Sequence, residues 1–199
     1  MRHILRKGVI GVSLLHLFTL SLLLFTSCSE ENTEEDEFAN WQQRNEEMTE
    51  TWASMAANGQ YRKILTYTKE ESASGLTSSD YIYVEVLEEG SGTVSPIYTD
   101  IMNVAYRGRL IPSKSYSEGY VFDESFLGDF DWRTARFVKL DNSSVVGFLT
   151  ALMNMHEGDV WRVRIPYQLG YGTTSQSSEI PSYSNLTFDI ALKSFEAGE

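Results

Sequence analysis

The sequence predicts an α+β fold in which an antiparallel sheet curves over one short helix, with an amphipathic helix ahead of it. Three observations carry this expectation. Alternating apolar and polar residues recur in about five stretches between residues 80 and 195. The connections between those stretches are short, as antiparallel neighbours allow. Within that region only "SSVVGFLTALMNMHEGD" (143–159) carries a compelling helical periodicity.

At the N-terminus, Arg2, Arg6 and Lys7 form a basic head before the apolar stretch Val9 to Phe25, the layout of a secretory signal over residues 1–27. A membrane-spanning helix needs about 20 apolar residues, and this stretch is shorter and broken by Ser13, His16, Thr19 and Ser21. Export is therefore expected in preference to a transmembrane anchor. Cys28 is the single cysteine of the chain, so an intramolecular disulfide cannot form. Residues 28–37 continue as "CSEENTEEDE", too polar to bury and best read as a solvated acidic tether.

Charge excludes one class of partner. The chain has 16 Lys and Arg against 28 Asp and Glu, and removing a leader with three basic residues and no acid leaves a net charge of −15. Such a surface repels phosphate backbones, so nucleic acid is not an expected partner.

Residues 38–79 read as a helical extension and linker. Phe38, Trp41, Met48, Trp52 and Met55 recur at helical spacing, and Asn58 with Gly59 provides a C-terminal cap. One amphipathic helix cannot bury its own stripe, which leaves two destinations: its own domain, or a second copy in a homodimer. Residues 80–199 form the main domain. "DYIYVEVLEEG" (80–90) and "DIMNVAYRGRL" (100–110) read as strands, "YVFDES" as an extended segment and "RFVKL" as a short strand. In the helix, Ser143 or Ser144 stands as cap, and Val145, Phe148, Leu149 and Leu152 share a face. "DVWRVRIP" follows as a strand with Val160 alternating with Arg162 and Arg164. In "LTFDIALKSF", Leu186, Phe188, Ile190 and Leu192 oppose Thr187, Asp189 and Lys193.

Elimination narrows the chemistry. Outside the leader there is one histidine, His156, in a turn beside Glu157, Gly158 and Asp159, so nucleophile–histidine catalysis and His/Cys zinc sites lack their parts. Asp123 and Glu124 are neighbours on an extended segment and point to opposite faces, which does not suit a glycosidase pair. "GYG" lacks the lysine and spacing of a phosphate loop. What remains is a high density of aromatic residues among turn signals, suited to binding and reshaping a ligand without covalent chemistry.

Five ordered segments, "VAYRG", "VFDES", "VVGFLTALMNMHEGD", "IPYQLGYG" and "IPSYSNLTFDIAL", resemble the FKBP-type peptidyl-prolyl cis-trans isomerases over Asp80 to Phe195. The resemblance implies an antiparallel half-barrel around the short helix and an apolar, aromatic-walled pocket for proline. By motif it implies a pocket of Tyr106, Phe122, Asp123, Val145, Phe148, Tyr171, Ile180 and Phe188. Phe148 would floor the pocket where a tryptophan is common, and Tyr106, Phe122 and Phe188 would wall it. Asp123, a buried acid, would polarise the site, and Tyr171 would donate to the bound peptide. Asp123, Tyr171 and Phe122 would carry the catalysis, with no metal or organic cofactor and with proline-containing polypeptides as partners. Two stretches depart from the pattern. "KLDNSSVVGF" has unusual spacing, so the phenylalanine supplied by the preceding strand is either Phe137 or absent, and Lys114–Tyr120 and "FLGDFDWRTA" are longer than a minimal domain. "LLFTSCS" resembles a bacterial lipoprotein cleavage site with Cys28 acylated, which implies a membrane partner through lipid. The acids behind it resemble the surface-export signal of lipoproteins in the Bacteroidetes. Two other uses stay open: a non-catalytic chaperone-like or surface-binding module, and carbohydrate capture through Trp132 and Tyr183.

Overall fold

Long apolar alternation in the strand Ile101–Leu110 makes it the organising element of the sheet. In the computed structural model, which describes residues 37–128, 130–139 and 145–198, this strand is β3. The chain runs α1 (Trp41–Ala57), β1 (Arg62–Leu65), β2 (Tyr81–Glu88), β3, β4 (Val121–Glu124), β5 (Arg136–Lys139), α2 (Val146–Leu152), β6 (Val160–Ile165) and β7 (Leu186–Glu196). The order across the sheet is β1-β2-β6-β7-β3-β4, all pairs are antiparallel, and β5 pairs β3. β4 takes the Arg107–Arg109 end of β3 and β5 the Ile101–Val104 end, so two short strands share one edge of a long one. This is the α+β architecture expected, with seven strands among the described residues where about five were read.

α2 lies on the inner face of the sheet. Its residues Gly147 to Leu152 are all buried, because one side meets the sheet and the other the chain around β1. A β-carbon on Gly147 would stand 2.4 Å from Ile165 Cγ2, so the glycine lets the helix approach β6. The helix is shorter than its sequence pattern: Val145 occupies the cap position and makes no side-chain cap, and the chain turns off after Leu152. The expected caps Ser143 and Ser144, the leader, Cys28 and the tether up to Asp36 lie outside the described residues.

On β6 the expected alternation is corrected. Positions two apart share a face of a strand, so Val160 stands with Arg162 and Arg164 on the outer face. The core residues are Trp161, Val163 and Ile165. Val160 instead joins Ala105, Ala191 and Phe126 in a small outer cluster, completed by Phe130 and Trp132 of the long β4–β5 connection. β7 follows its predicted faces: Leu186, Phe188, Ile190 and Leu192 are buried, and Lys193 is exposed at a bulge against β3.

α1 docks on its own domain. Trp41 and Trp52 are buried as expected, but the residues between them on the buried stripe are Asn45 and Thr49, with Phe38, Met48 and Met55 only half-buried. Asn185 donates from its backbone to Asn45 Oδ1 (2.8 Å) and from its side chain to Asn45 O (2.7 Å) and Thr49 Oγ1 (3.1 Å). The stripe offered as a dimer surface is thus engaged within the chain. Gly59 ends the helix region at φ +76°, a conformation glycine adopts without β-carbon strain. β1, inside the stretch read as extension and linker, adds a strand to the sheet.

Candidate functional site

β3 and β7 bring the first rings together. Gly108 pairs with Phe188 and Tyr106 with Ile190, so Tyr106, Gly108 and Phe188 share the inner face on which α2 lies. Phe148 of α2 completes the group: its ring centroid is 5.0 Å from Phe188 and 5.8 Å from Tyr106, both edge-on. Phe122 of β4 meets Phe188 at 5.6 Å and 88°. Such edge-to-face contacts set the positive rim of one ring against the negative face of another.

Phe122 and Asp123 are adjacent, and on a regular strand they would face opposite ways. The β3–β4 register shifts there: Gly108 pairs with Asp123 but Arg109 with Val121, leaving Phe122 as the extra residue of a bulge. A bulge re-aims the side chains around it. Phe122 turns in over Gly108, and Asp123 accepts a hydrogen bond from the Tyr106 hydroxyl at 2.8 Å. Gly108, which the sequence reading did not single out, is essential to this arrangement. A β-carbon there would stand 2.6 Å from Phe188 Cε1 and 2.7 Å from Phe122 Cζ. The signal available was a glycine inside a strand pattern, which marks a close approach.

Asp123 is exposed at the edge of the ring group, which corrects the expectation of a buried acid. β4 is an edge strand with few neighbours, so its carboxylate keeps water on one side. Burial, then the hydrogen bond and charge of Asp123, push the Tyr106 phenol up to about 12, with Arg136 opposing. Burial and the Asp123 charge also raise the Tyr171 phenol. Both hydroxyls therefore stay protonated, and able to donate, at neutral pH. Val145, Tyr171 and Ile180 are half-buried against the core that contains Phe148 and Phe188. Phe137 does not supply the missing pocket ring: it pairs with Asn103 and is 66% exposed.

The other residues weighed from sequence stand elsewhere. His156 is half-buried in its turn, its backbone N–H donating to Asp159 Oδ2 at 2.7 Å. Trp132 packs on Phe130 at 4.8 Å in the outer cluster, and Tyr183 on Tyr167 at 5.3 Å, so the two rings build no common platform for a sugar. A hollow of about 250 Å³ on the outer face is lined by Leu87, Arg107, Phe126, Phe130 and Arg162 among others. Its arginines are held in ion pairs, Arg107 with Glu124 and both Arg109 and Arg162 with Asp189. It lies on the opposite side of the sheet from the ring group.

Comparison with known proteins agrees with this fold. The family model described as FKBP-type peptidyl-prolyl cis-trans isomerase matches residues 92–193. The chain is 38% identical over 112 residues to the macrophage infectivity potentiator of Trypanosoma cruzi, covering 56% of this chain and 52% of that one. It is 31% identical over 139 residues to the FKBP-type 22 kDa peptidyl-prolyl cis-trans isomerase of Escherichia coli, covering 70% and 60%. The chain thus spans between half and two thirds of the length of these relatives. A crystal structure of a peptidyl-prolyl cis-trans isomerase from Pseudomonas syringae pv. tomato shares the fold, with a TM-score of 0.55 and 24% identity over 78% of this chain and 96% of that one. Since the family match spans half of the chain and takes in the strands and helix that gather the rings, this chain belongs to the FKBP-type peptidyl-prolyl cis-trans isomerase family.

Proposed function

We propose that the chain catalyses cis-trans isomerisation of Xaa-Pro bonds in proline-containing polypeptides, at the ring group of Tyr106, Phe122, Phe148 and Phe188. The observation that carries this reading is the convergence of those four rings from β3, β4, α2 and β7, with Asp123 on the Tyr106 hydroxyl. The planar amide is held by resonance behind a barrier of about 18–20 kcal/mol, and crossing it transfers no atom. No metal or organic cofactor is needed for that step.

An apolar hollow favours the twisted amide, whose carbonyl is less polar once conjugation is lost. Only such selective binding of the crossing state accelerates the reaction, by tenfold for each 1.4 kcal/mol or so. Phe148 and Phe188 receive the proline ring, with Phe122 and Tyr106 beside it and Val145 and Ile180 extending the apolar wall. Tyr171 donates to the peptide backbone. Asp123 fixes the Tyr106 phenol and sets the field at the mouth.

The test follows the relaxation of a proline-containing peptide from cis to trans with and without the full chain. Acceleration is expected, with Asp123→Ala and Tyr171→Phe each reducing kcat/KM on the order of tenfold. No acceleration by the wild type would leave a peptide-binding module. Unchanged variants would move the site elsewhere.

The leader and Cys28 support placing this activity outside the cytoplasm, lipid-anchored to the outer membrane on either face. Cys28→Ser should shift the protein from the membrane to the soluble fraction, and retention at the membrane would refute the anchor.

A further inference from the structure

The segment from Gly170 to Asn185 carries Tyr171 and Ile180, and its tip from Thr173 to Glu179 is exposed. Its own hydrogen bonds are local: at the tip, Ser175 Oγ donates to Ser177 O and Ile180 O, and Ser177 Oγ accepts from the backbone N–H groups of Glu179 and Ile180. Gly172 donates to Tyr167 O at 2.8 Å and Tyr183 to Gly172 O at 3.0 Å, which close its neck, and Gln176 donates to Ile180 O at 3.1 Å.

The base of the segment is gripped from outside. Trp41 Nε1 donates to Ser184 Oγ at 2.9 Å, and Ser184 Oγ donates onward to Pro181 O at 2.7 Å. Asn45 and Asn185 are both fully buried; Asn45 accepts two hydrogen bonds from Asn185, and Asn185 Oδ1 accepts from the backbone N–H of Tyr167 at 2.8 Å. Tyr167 contacts both Glu46 of α1 and the ring of Tyr183. The hydrogen bonds from α1 to this region land on Tyr167, just ahead of the segment, and on Ser184 and Asn185 at its C-terminal end.

The backbone beside these held residues is unusual. Tyr183 has φ +64°, a left-handed conformation that a bulky L-residue rarely adopts. Such a residue persists where its surroundings over-determine it. Its neighbours Ser184 and Asn185 are the two residues that α1 holds.

We infer that α1 is a clamp for the segment bearing Tyr171 and Ile180, with Asn45 as its positioning residue; this rests on the reading of the ring group as the prolyl site. Asn45 acts through Asn185 and touches no substrate. It keeps the segment in the shape that binds the peptide, and loosening it lowers the fraction of molecules competent to bind. Apparent affinity falls by that fraction.

The test compares full-length wild type with Asn45→Ala and with Ser184→Ala, which removes the Trp41 and Pro181 links while leaving only a small void. Gln43→Ala, on the exposed side of α1, serves as control. Hydrogen exchange is expected to rise selectively in residues 171–183 in both variants and not in the control, with β3 and β7 still protected. Isomerisation at a temperature well below unfolding should show KM raised by about fivefold with kcat nearly kept. Exchange that rises uniformly, or a segment that stays protected, would overturn the clamp. The exchange result does not depend on turnover, so a wild type without isomerase activity would refute the functional reading and still leave the clamp decided. A loosened segment with unchanged KM would show that the grip is structural only.

Discussion

Asp123 reaches Tyr106 because Phe122 is bulged. Side-chain parity on a regular strand would send one of these neighbours outward, and the register shift opposite Gly108 and Arg109 is what lets Phe122 face Phe188 while Asp123 reaches Tyr106. Gly108 makes room for the consequence. Gly108→Ala would push a methyl against Phe122 and Phe188 and is expected to cost about 1–3 kcal/mol by overpacking. Urea unfolding would show the loss, and peptide isomerisation should fall with it. The phenols give a pH prediction. Tyr106 titrates near 12 in the fold against an ordinary value of about 10. Its folded pKa is raised, so its contribution to stability is complete below about pH 10 and is lost as pH rises toward 12. Unfolding free energy should decline through that window, and the decline should lessen in Tyr106→Phe. That Tyr106, Phe122, Phe148 and Phe188 stand together was legible in the sequence through their motifs. The exposure of Asp123 was not, because burial of a carboxylate depends on whether its strand is an edge, which only pairing reveals.

Among the elements, β6 and β7 show what alternation can and cannot decide. On β7 the apolar parity is uninterrupted and the core face follows directly. On β6 Val160, Arg162 and Arg164 share a parity, and the apolar Val160 belongs to the outer face because Phe126 and Phe130 cover that face. A long connection supplied that cover, and nothing in the strand itself announces it. The two sheet strands are also joined by charge. Asp189 of β7 accepts from Arg162 of β6 at 2.6 Å and from Arg109 of β3 at 2.8 Å. Burial raises its carboxyl, and the two guanidinium groups outweigh that and hold it below the usual range. The folded pKa is lowered, so this stabilisation is present above the ordinary aspartate range near about 4 and fades as pH falls below it. Asp189→Asn is expected to destabilise by about 2 kcal/mol, since it leaves two arginines sharing a neutral partner. Equilibrium unfolding at neutral pH measures it, and the difference from wild type should shrink in acid.

At the scale of the whole molecule, the N-terminal helix and the sheet pack into one unit. The periodicity of Trp41 and Trp52 made the helix legible, but Asn45 and Thr49 on the same stripe read as surface residues in sequence. Their partner Asn185 lies 140 and 136 positions away, distances no local pattern spans. This docking predicts a single unfolding transition in which amide protection of α1 and of β7 is lost at the same denaturant concentration. Two separate transitions would mean that α1 is an independent appendage. The most direct test of the central claim is exchange NMR on a proline peptide at equilibrium with a catalytic amount of the protein. Uncatalysed cis and trans forms interconvert over tens to hundreds of seconds. Their resonances are expected to exchange far faster with the wild type and to return to the slow rate when Tyr171→Phe and Phe148→Ala are combined. Peptide that binds the wild type while its cis and trans signals stay at the uncatalysed rate would contradict it.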